Sequence, residues 1–290
     1  MFVFKAAVVG AGVMGGEIAQ VIAAAGIPVI LKDVEQRFVD TGLEKAREVT
    51  SSQAAKLVEK GKLTQEQGDE QVRRILGNIT GATEYDGFGD VDFAIEAVPE
   101  KLAIKHQVFA ELDAVTPGHA VLASNTSGLS ITEIADATQR PDKVVGFHFF
   151  WPASFMRLIE VIEGDETSPE TIGAASTFAQ AIRKLPIRAA DCPGFVVNRI
   201  LVSTASEIWR YQDETGIPVE EIDEFIKERA QMPMGPFRVA DMSGLDTVVK
   251  VARDMREAYG DRFYVHRGME EKLERGELGA KTGRGFYDHA

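Results

Sequence analysis

Apolar positions in this chain keep two different rhythms, and the change between them divides it. In the first part, short, largely apolar runs alternate with stretches of helical periodicity. That pattern predicts parallel strands buried on both faces and covered by helices. The runs lie at 3–9, 27–31, 79–80, 91–97, 120–124, 144–149, 158–162 and 187–190. A long charged excursion at 37–76 interrupts them. It is predicted as two helices joined at Gly61-Lys62-Leu63-Thr64, with Thr64 and Gln67 as a capping box. A flap over a ligand cleft and a solvated decoration fit this excursion equally well. Beyond the turn cluster Asp191-Cys192-Pro193-Gly194 the pattern becomes helical, at 195–214, 219–229 and 245–259. Gly216 ends the first of these helices and Pro218 sets the entry to the second. The expected organisation is therefore an α/β domain over 1–185 and an all-helical domain over 186–290.

The first apolar run breaks directly into Gly10-Ala11-Gly12-Val13-Met14-Gly15, and the second ends at Asp33. Strand, glycine triplet, small-residue helix, strand and acid in that order predict a Rossmann-type dinucleotide site. Gly10 makes the tight turn, Gly12 lets the backbone approach a pyrophosphate, and Gly15 lets the helix lie against the sheet. The helix N-terminus, at Val13 and Met14, then faces the phosphates. A carboxylate at Asp33 accepts hydrogen bonds from an adenosine ribose and repels a 2′-phosphate, so NAD is expected over NADP. A glycine-rich turn is the plain alternative for the triplet taken alone.

Composition narrows the class. At 290 residues and 44% hydrophobic, the chain is long enough and apolar enough for two packed domains. It has no apolar run of membrane-spanning length, and its opening on a core strand leaves no expected signal peptide. One cysteine, Cys192, fits a reducing cytoplasm. The net charge of −13 argues against nucleic acid as a partner, which would need a basic face, and is otherwise an expression of solubility.

Candidate chemistry sits where strands end. His148 closes an apolar strand and is followed by aromatics and a proline, which places its imidazole at a sheet edge where ligands bind. Glu160 interrupts the apolar run Leu158-Ile159-Glu160-Val161-Ile162, and a carboxylate there needs a partner. Pairing with His148 would orient one ring nitrogen and leave the other as acid or base. A structural histidine and an edge-facing glutamate fit the same residues. Ser124-Asn125-Thr126-Ser127-Gly128 follows another strand; it serves either a ligand or a helix cap. Asn198 lies one turn into the helix after Pro193-Gly194, where a satisfied polar contact is the plain reading.

Taken together and in order, these segments resemble the L-3-hydroxyacyl-CoA dehydrogenase family, which includes 3-hydroxybutyryl-CoA dehydrogenases. The resemblance runs over nearly the whole chain. It is carried by the glycine motif, Ser124-Asn125-Thr126-Ser127, Gly146-Phe147-His148-Phe149-Phe150 and the Glu160 strand. It continues through Asp191-Cys192-Pro193-Gly194-Phe195-Val196-Val197-Asn198-Arg199, Pro233-Met234-Gly235-Pro236, Gly244-Leu245-Asp246-Thr247 and Lys281-Thr282-Gly283-Arg284-Gly285-Phe286-Tyr287. The resemblance implies that His148 takes the proton of the substrate 3-hydroxyl and that Glu160 orients it. It implies that Ser127 and Asn198 hydrogen-bond the reacting oxygen, and that Glu100, Lys105 and Lys281 touch NAD. Lys56 is the nearest counterpart of the CoA contacts. One position departs: Trp151 stands where the family carries an Asn beside the nicotinamide.

The expected function is reversible hydride transfer between C3 of a 3-hydroxyacyl-CoA and NAD, in a cytoplasmic homodimer built on the helical domain. Two alternatives stand beside it. One is a dehydrogenase of a hydroxy or sugar acid without CoA; the other is a non-catalytic NAD-binding protein, which predicts loss of His148 or Glu160.

Overall fold

Eight strands form one sheet among residues 2–289, the part of the chain described by the computed structural model: β1 (Ala6–Val9), β2 (Val29–Lys32), β3 (Ile79–Ala82), β4 (Phe93–Glu96), β5 (Val121–Ser124), β6 (Val144–Phe149), β7 (Leu158–Glu163) and β8 (Leu185–Ala190). Their spatial order is β3-β2-β1-β4-β5-β6-β7-β8, and every neighbouring pair is parallel except β6 with β7. The winding direction reverses between β1 and β4, and a doubly wound sheet opens its ligand crevice at the carboxyl ends on either side of that point. This is the Rossmann-type, mostly parallel sheet that the alternating runs predict.

Six helices belong to this unit: α1 (Val13–Ala24), α2 (Gln36–Glu59), α3 (Gln65–Leu76), α4 (Leu102–Val115), α5 (Ile131–Ala135) and α6 (Pro169–Ala181). The capping box is formed as read from sequence. Thr64 Oγ1 accepts from Gln67 N at 3.2 Å, and Gln67 Oε1 accepts from Thr64 N at 2.9 Å. α6 packs under the sheet with Phe178 against Phe93 and Phe147, at centroid separations of 4.4 and 5.9 Å. Strand alternation then decides where the polar residues of β6 and β7 go. Phe147, Phe149, Ile159 and Val161 join this core, so His148 and Glu160 lie on the opposite face.

The two compact units divide after Phe195, further along than the boundary expected near 185. Strand β8 is the reason, since it pairs in parallel with β7 over Leu185 to Ala190 and so belongs to the sheet.

The second unit contains α7 (Val197–Thr215), α8 (Val219–Arg229), α9 (Pro236–Ser243), α10 (Leu245–Tyr259) and α11 (Arg267–Glu274). Its core gathers Trp209, Phe237, Leu245, Val249 and Met269. Two buried carboxylates fasten its last residues. Asp241 accepts from Phe286 N, Tyr287 N and His289 Nε2 at 2.9–3.0 Å, and Asp223 accepts from Phe237 N, Arg238 N and the Tyr287 hydroxyl at 2.7–2.9 Å. Gly285 is required here, because a Cβ would stand 2.2 Å from Asp241 Oδ1. No helix among the described residues is long and apolar enough to cross a membrane.

His266 caps α11 with an unprotonated Nδ1, which accepts from Met269 N at 3.1 Å, while Nε2 meets Gln212 Oε1 at 2.7 Å. Burial pushes its pKa below the ordinary 6.5, against the pull of Asp213. On acidification the unfolded chain therefore gains this proton before the folded one does. The contribution to stability is complete above 6.5 and disappears as pH falls towards the lower folded value. Thermal unfolding followed by far-UV circular dichroism should accordingly lose midpoint between pH 7.5 and 5. In His266→Asn, which keeps a capping acceptor without a titrating ring, that slope should flatten. Identical slopes in the two proteins would contradict the assignment.

Candidate active site

The glycine turn and α1 form the first part of the site. Gly10 has φ 105°, and a Cβ on it would meet Ala97 O at 2.5 Å, so the turn out of β1 packs directly on the end of β4. A Cβ on Gly15 would meet Gly10 O at 1.7 Å, whereas one on Gly12 meets nothing within 4 Å. Open space thus lies in front of the helix N-terminus, which has no side-chain cap and no acid in its first turn. A bound anion is what such an end accommodates. Asp33, just past β2, accepts from Ala11 N at 2.7 Å through Oδ2 and from Val34 N at 2.7 Å through Oδ1. It braces the turn while standing where a ribose carboxylate is expected. These residues fit a dinucleotide.

His148 and Glu160 are directly opposite in the antiparallel register of β6 and β7. His148 Nδ1 lies 2.8 Å from Glu160 Oε2, and both side chains are buried. With a carboxylate acceptor on Nδ1, that nitrogen carries the proton, and Nε2 is left as the basic atom. Phe150 and Phe195 flank the ring, at centroid separations of 4.6 and 6.0 Å.

A buried polar network joins the ends of β4 and β5. Glu96 Oε1 accepts from Lys105 Nζ and Val98 N, both at 2.7 Å, and Oε2 accepts from Ser124 Oγ at 2.7 Å. Lys105 also lies 3.1 Å from Glu100 Oε2, and Glu100 Oε1 accepts from Thr126 Oγ1 at 2.6 Å and Ser127 N at 2.9 Å. Burial is the dominant influence on both acids. It raises the Glu96 carboxyl, but at Glu100 the Lys105 charge and the Thr126 and Ser127 bonds together outweigh it, so that carboxyl is lowered. Asn125 Oδ1 accepts from Phe149 N at 2.9 Å and fastens this loop to the residue after His148.

The sequence-derived residues meet different fates. Glu100 and Ser127 come together, and both are exposed. Lys105, expected at the cofactor, is only 1% exposed, and its ammonium is engaged by Glu96 and Glu100; its place is behind Glu100. Lys56 is exposed in the last turn of α2. In the second unit, Asn198 is half-buried in the first turn of α7, and Lys281 Nζ is held by Asp246 Oδ1 at 2.8 Å and Thr247 Oγ1 at 3.1 Å. Glu96, Ser124, Asn125 and Thr126 were not singled out individually from sequence. An acid near the end of the run at 91–97 is the available signal for Glu96. Trp151 is 59% exposed, so the residue that departs from the family pattern has its indole at the surface.

Two family models cover the chain: the 3-hydroxyacyl-CoA dehydrogenase NAD-binding domain matches residues 5–192, and the C-terminal domain of the same enzymes matches 194–289. The chain belongs to the 3-hydroxyacyl-CoA dehydrogenase family. It is 40% identical over 286 residues to a 3-hydroxybutyryl-CoA dehydrogenase of Clostridioides difficile, covering 98% of this chain and 99% of that one. A crystal structure of (S)-3-hydroxybutyryl-CoA dehydrogenase from Ralstonia eutropha matches with a TM-score of 0.91 and 36% identity, over 100% of both chains. A diketoreductase structure, described as acting on dicarbonyl compounds, matches with a TM-score of 0.80 and 27% identity over 99% of each chain. As a member of this dehydrogenase family, the protein is an NAD-dependent oxidoreductase.

Proposed function

We propose that this dehydrogenase interconverts an L-3-hydroxyacyl-CoA and the 3-oxoacyl-CoA, with His148 as acid and base and Glu160 as its orienting partner. The observation that carries this assignment is the buried 2.8 Å contact between His148 Nδ1 and Glu160 Oε2 at the carboxyl end of β6. In oxidation, His148 Nε2 takes the proton of the 3-hydroxyl as the C3 hydride departs, which avoids a free alkoxide. Bound NAD supplies the hydride acceptor. Glu160 stabilises the imidazolium formed, and proton return from the same nitrogen serves the reverse reaction.

Ser127 Oγ and the Asn198 amide are assigned to the reacting oxygen, and Lys56 to CoA. The amides of Gly12, Val13 and Met14 are assigned to the pyrophosphate, with Glu100 and Lys281 as further cofactor contacts and Lys105 holding Glu100. The similarity to 3-hydroxybutyryl-CoA dehydrogenases favours a short acyl chain. A homodimer through the second unit is part of this reading, supported by exposed Ile200 and Leu201 on α7. A cytoplasmic location accords with the single cysteine. The second reading, a carbonyl substrate without CoA, is favoured by the diketoreductase similarity and by Trp151 at the family's Asn position.

Initial rates with 3-hydroxybutyryl-CoA, longer 3-hydroxyacyl-CoAs and free 3-hydroxybutyrate, each with NAD and NADP, test the assignment. NADH formation from thioesters alone is the expected result; turnover of the free acid at equal efficiency moves the assignment to the second reading. Asp33→Ser should weaken NAD by about ten- to a hundredfold, the worth of hydrogen bonds to a charged group, and narrow the preference over NADP. Titration of the two dinucleotides by protein fluorescence checks this, and a wild type that prefers NADP would overturn the ribose role of Asp33.

A further inference from the structure

The 151–156 loop leaves the sheet three residues after His148 and re-enters it at β7, and two buried charges from distant parts of the chain hold its backbone. Glu17, on α1 and 2% exposed, accepts from Ser154 N at 3.0 Å and Ser154 Oγ at 3.1 Å through Oε2, with Lys45 Nζ 3.9 Å from its other oxygen. Lys184, 8% exposed, donates to the carbonyls of Ala153 and Met156, the latter at 2.7 Å. Pro152 O accepts from Phe155 N and Met156 N at 3.0 and 2.9 Å. Burial pushes the Lys184 ammonium below its ordinary pKa, and the Glu17 charge pulls it back.

A surface loop normally leaves such backbone groups to water. Desolvating a carboxylate and an ammonium to satisfy them is costly and fixes the loop in one shape. Above that fixed backbone, Trp151 and Phe155 stand outward, 59% and 80% exposed. Large apolar side chains on a rigid base that follows the His148 strand directly in the chain suit an apolar substrate part.

We propose that Glu17 and Lys184 are positioning residues that hold the 151–156 loop rigid, so that Trp151 and Phe155 form a fixed apolar wall selecting the acyl group. The proposal rests on the thioester reading above, which places this edge of the sheet against the substrate. Because Glu17 sits one turn into the cofactor helix, the wall is built on the same element as the dinucleotide turn.

The chain has two tryptophans, and Trp209 is buried in the second unit, so Trp209→Phe makes Trp151 the only indole reporter. In that background Glu17→Ala should lower the steady-state anisotropy of Trp151. It should also change the ratio of kcat/KM for 3-hydroxybutyryl-CoA and 3-hydroxyoctanoyl-CoA by at least about threefold, through KM, with kcat within about twofold. Glu17→Gln, which keeps an acceptor for Ser154, should stay close to the parent in both. If Glu17→Ala does not fold, Ser154→Ala removes one of the two bonds and should shift both readings the same way by less. Unchanged anisotropy in a folded Glu17→Ala protein overturns the holding role. Lowered anisotropy with unchanged KM values overturns the selecting role. A wild type that oxidises neither thioester refutes the underlying reading instead, and the anisotropy measurement stands apart from that result.

Discussion

His148→Gln should lower kcat by about 10²–10⁴ while leaving NAD affinity near the parent value, since that range is the usual share of general acid–base catalysis. Glutamine fills a similar volume but offers no basic nitrogen where Nε2 stood. Glu160→Gln should produce a comparable loss by a different route. An amide opposite Nδ1 can donate as readily as accept, so it admits the tautomer with the proton on Nε2 and withdraws the charge that stabilises the imidazolium. The double variant should be little worse than either single one, because the two residues act as a unit. Activity within about tenfold of the parent in His148→Gln would remove this histidine from the reaction and return it to a core packing role.

The His148–Glu160 pairing was readable because strand alternation is rigid. An isolated polar residue in each of two apolar runs has to leave the core face, and residues of opposite character that leave by the same face find each other. The register that joins Phe147 to Val161 and His148 to Glu160 supplies the one fact that periodicity lacks. The glycine turn was equally legible, since its constraints are local and each residue type has a geometric cause. The division of the chain was less so. The run at 187–190 reads as a strand, but the pattern does not say which unit it joins, and pairing with β7 over Leu185–Ala190 draws it into the sheet.

What sequence left hidden is long-range polar satisfaction. Glu17 lies within a helix of small and apolar residues, where nothing local announces that its carboxylate meets Ser154, 137 positions away. Lys105 enters the sequence reading only as an NAD contact implied by the family resemblance, and the fold brings Glu96 and Glu100 around it. Burial thereby changes its meaning. With both carboxylates already in contact, its ammonium holds Glu100, which in turn accepts from the Ser127 amide.

The two glycines of the turn should separate folding from cofactor binding. At Gly15 a methyl group would stand 1.7 Å from the Gly10 carbonyl oxygen, an approach no rotamer change relieves, because the methyl position is fixed by the backbone and the oxygen belongs to it. The start of α1 must move away from β1, breaking the contact that lets the helix lie on the sheet. Gly15→Ala should therefore destabilise by about 1–3 kcal/mol or more, the range for overpacking a close contact. Because a displacement of about 1 Å is enough to cost about a hundredfold at a preorganised site, NAD affinity should fall by at least that factor. At Gly12 the backbone is ordinary, with φ −68° and ψ −170°, and the added methyl meets no protein atom within 4 Å. Gly12→Ala should keep the melting temperature and still lose NAD affinity, because the space it enters is the space assigned to the pyrophosphate. Differential scanning calorimetry and calorimetric titration with NAD on both variants read the two effects independently. A Gly12→Ala protein that binds NAD like its parent would show that the dinucleotide does not pass over this turn, whatever the fate of Gly15→Ala.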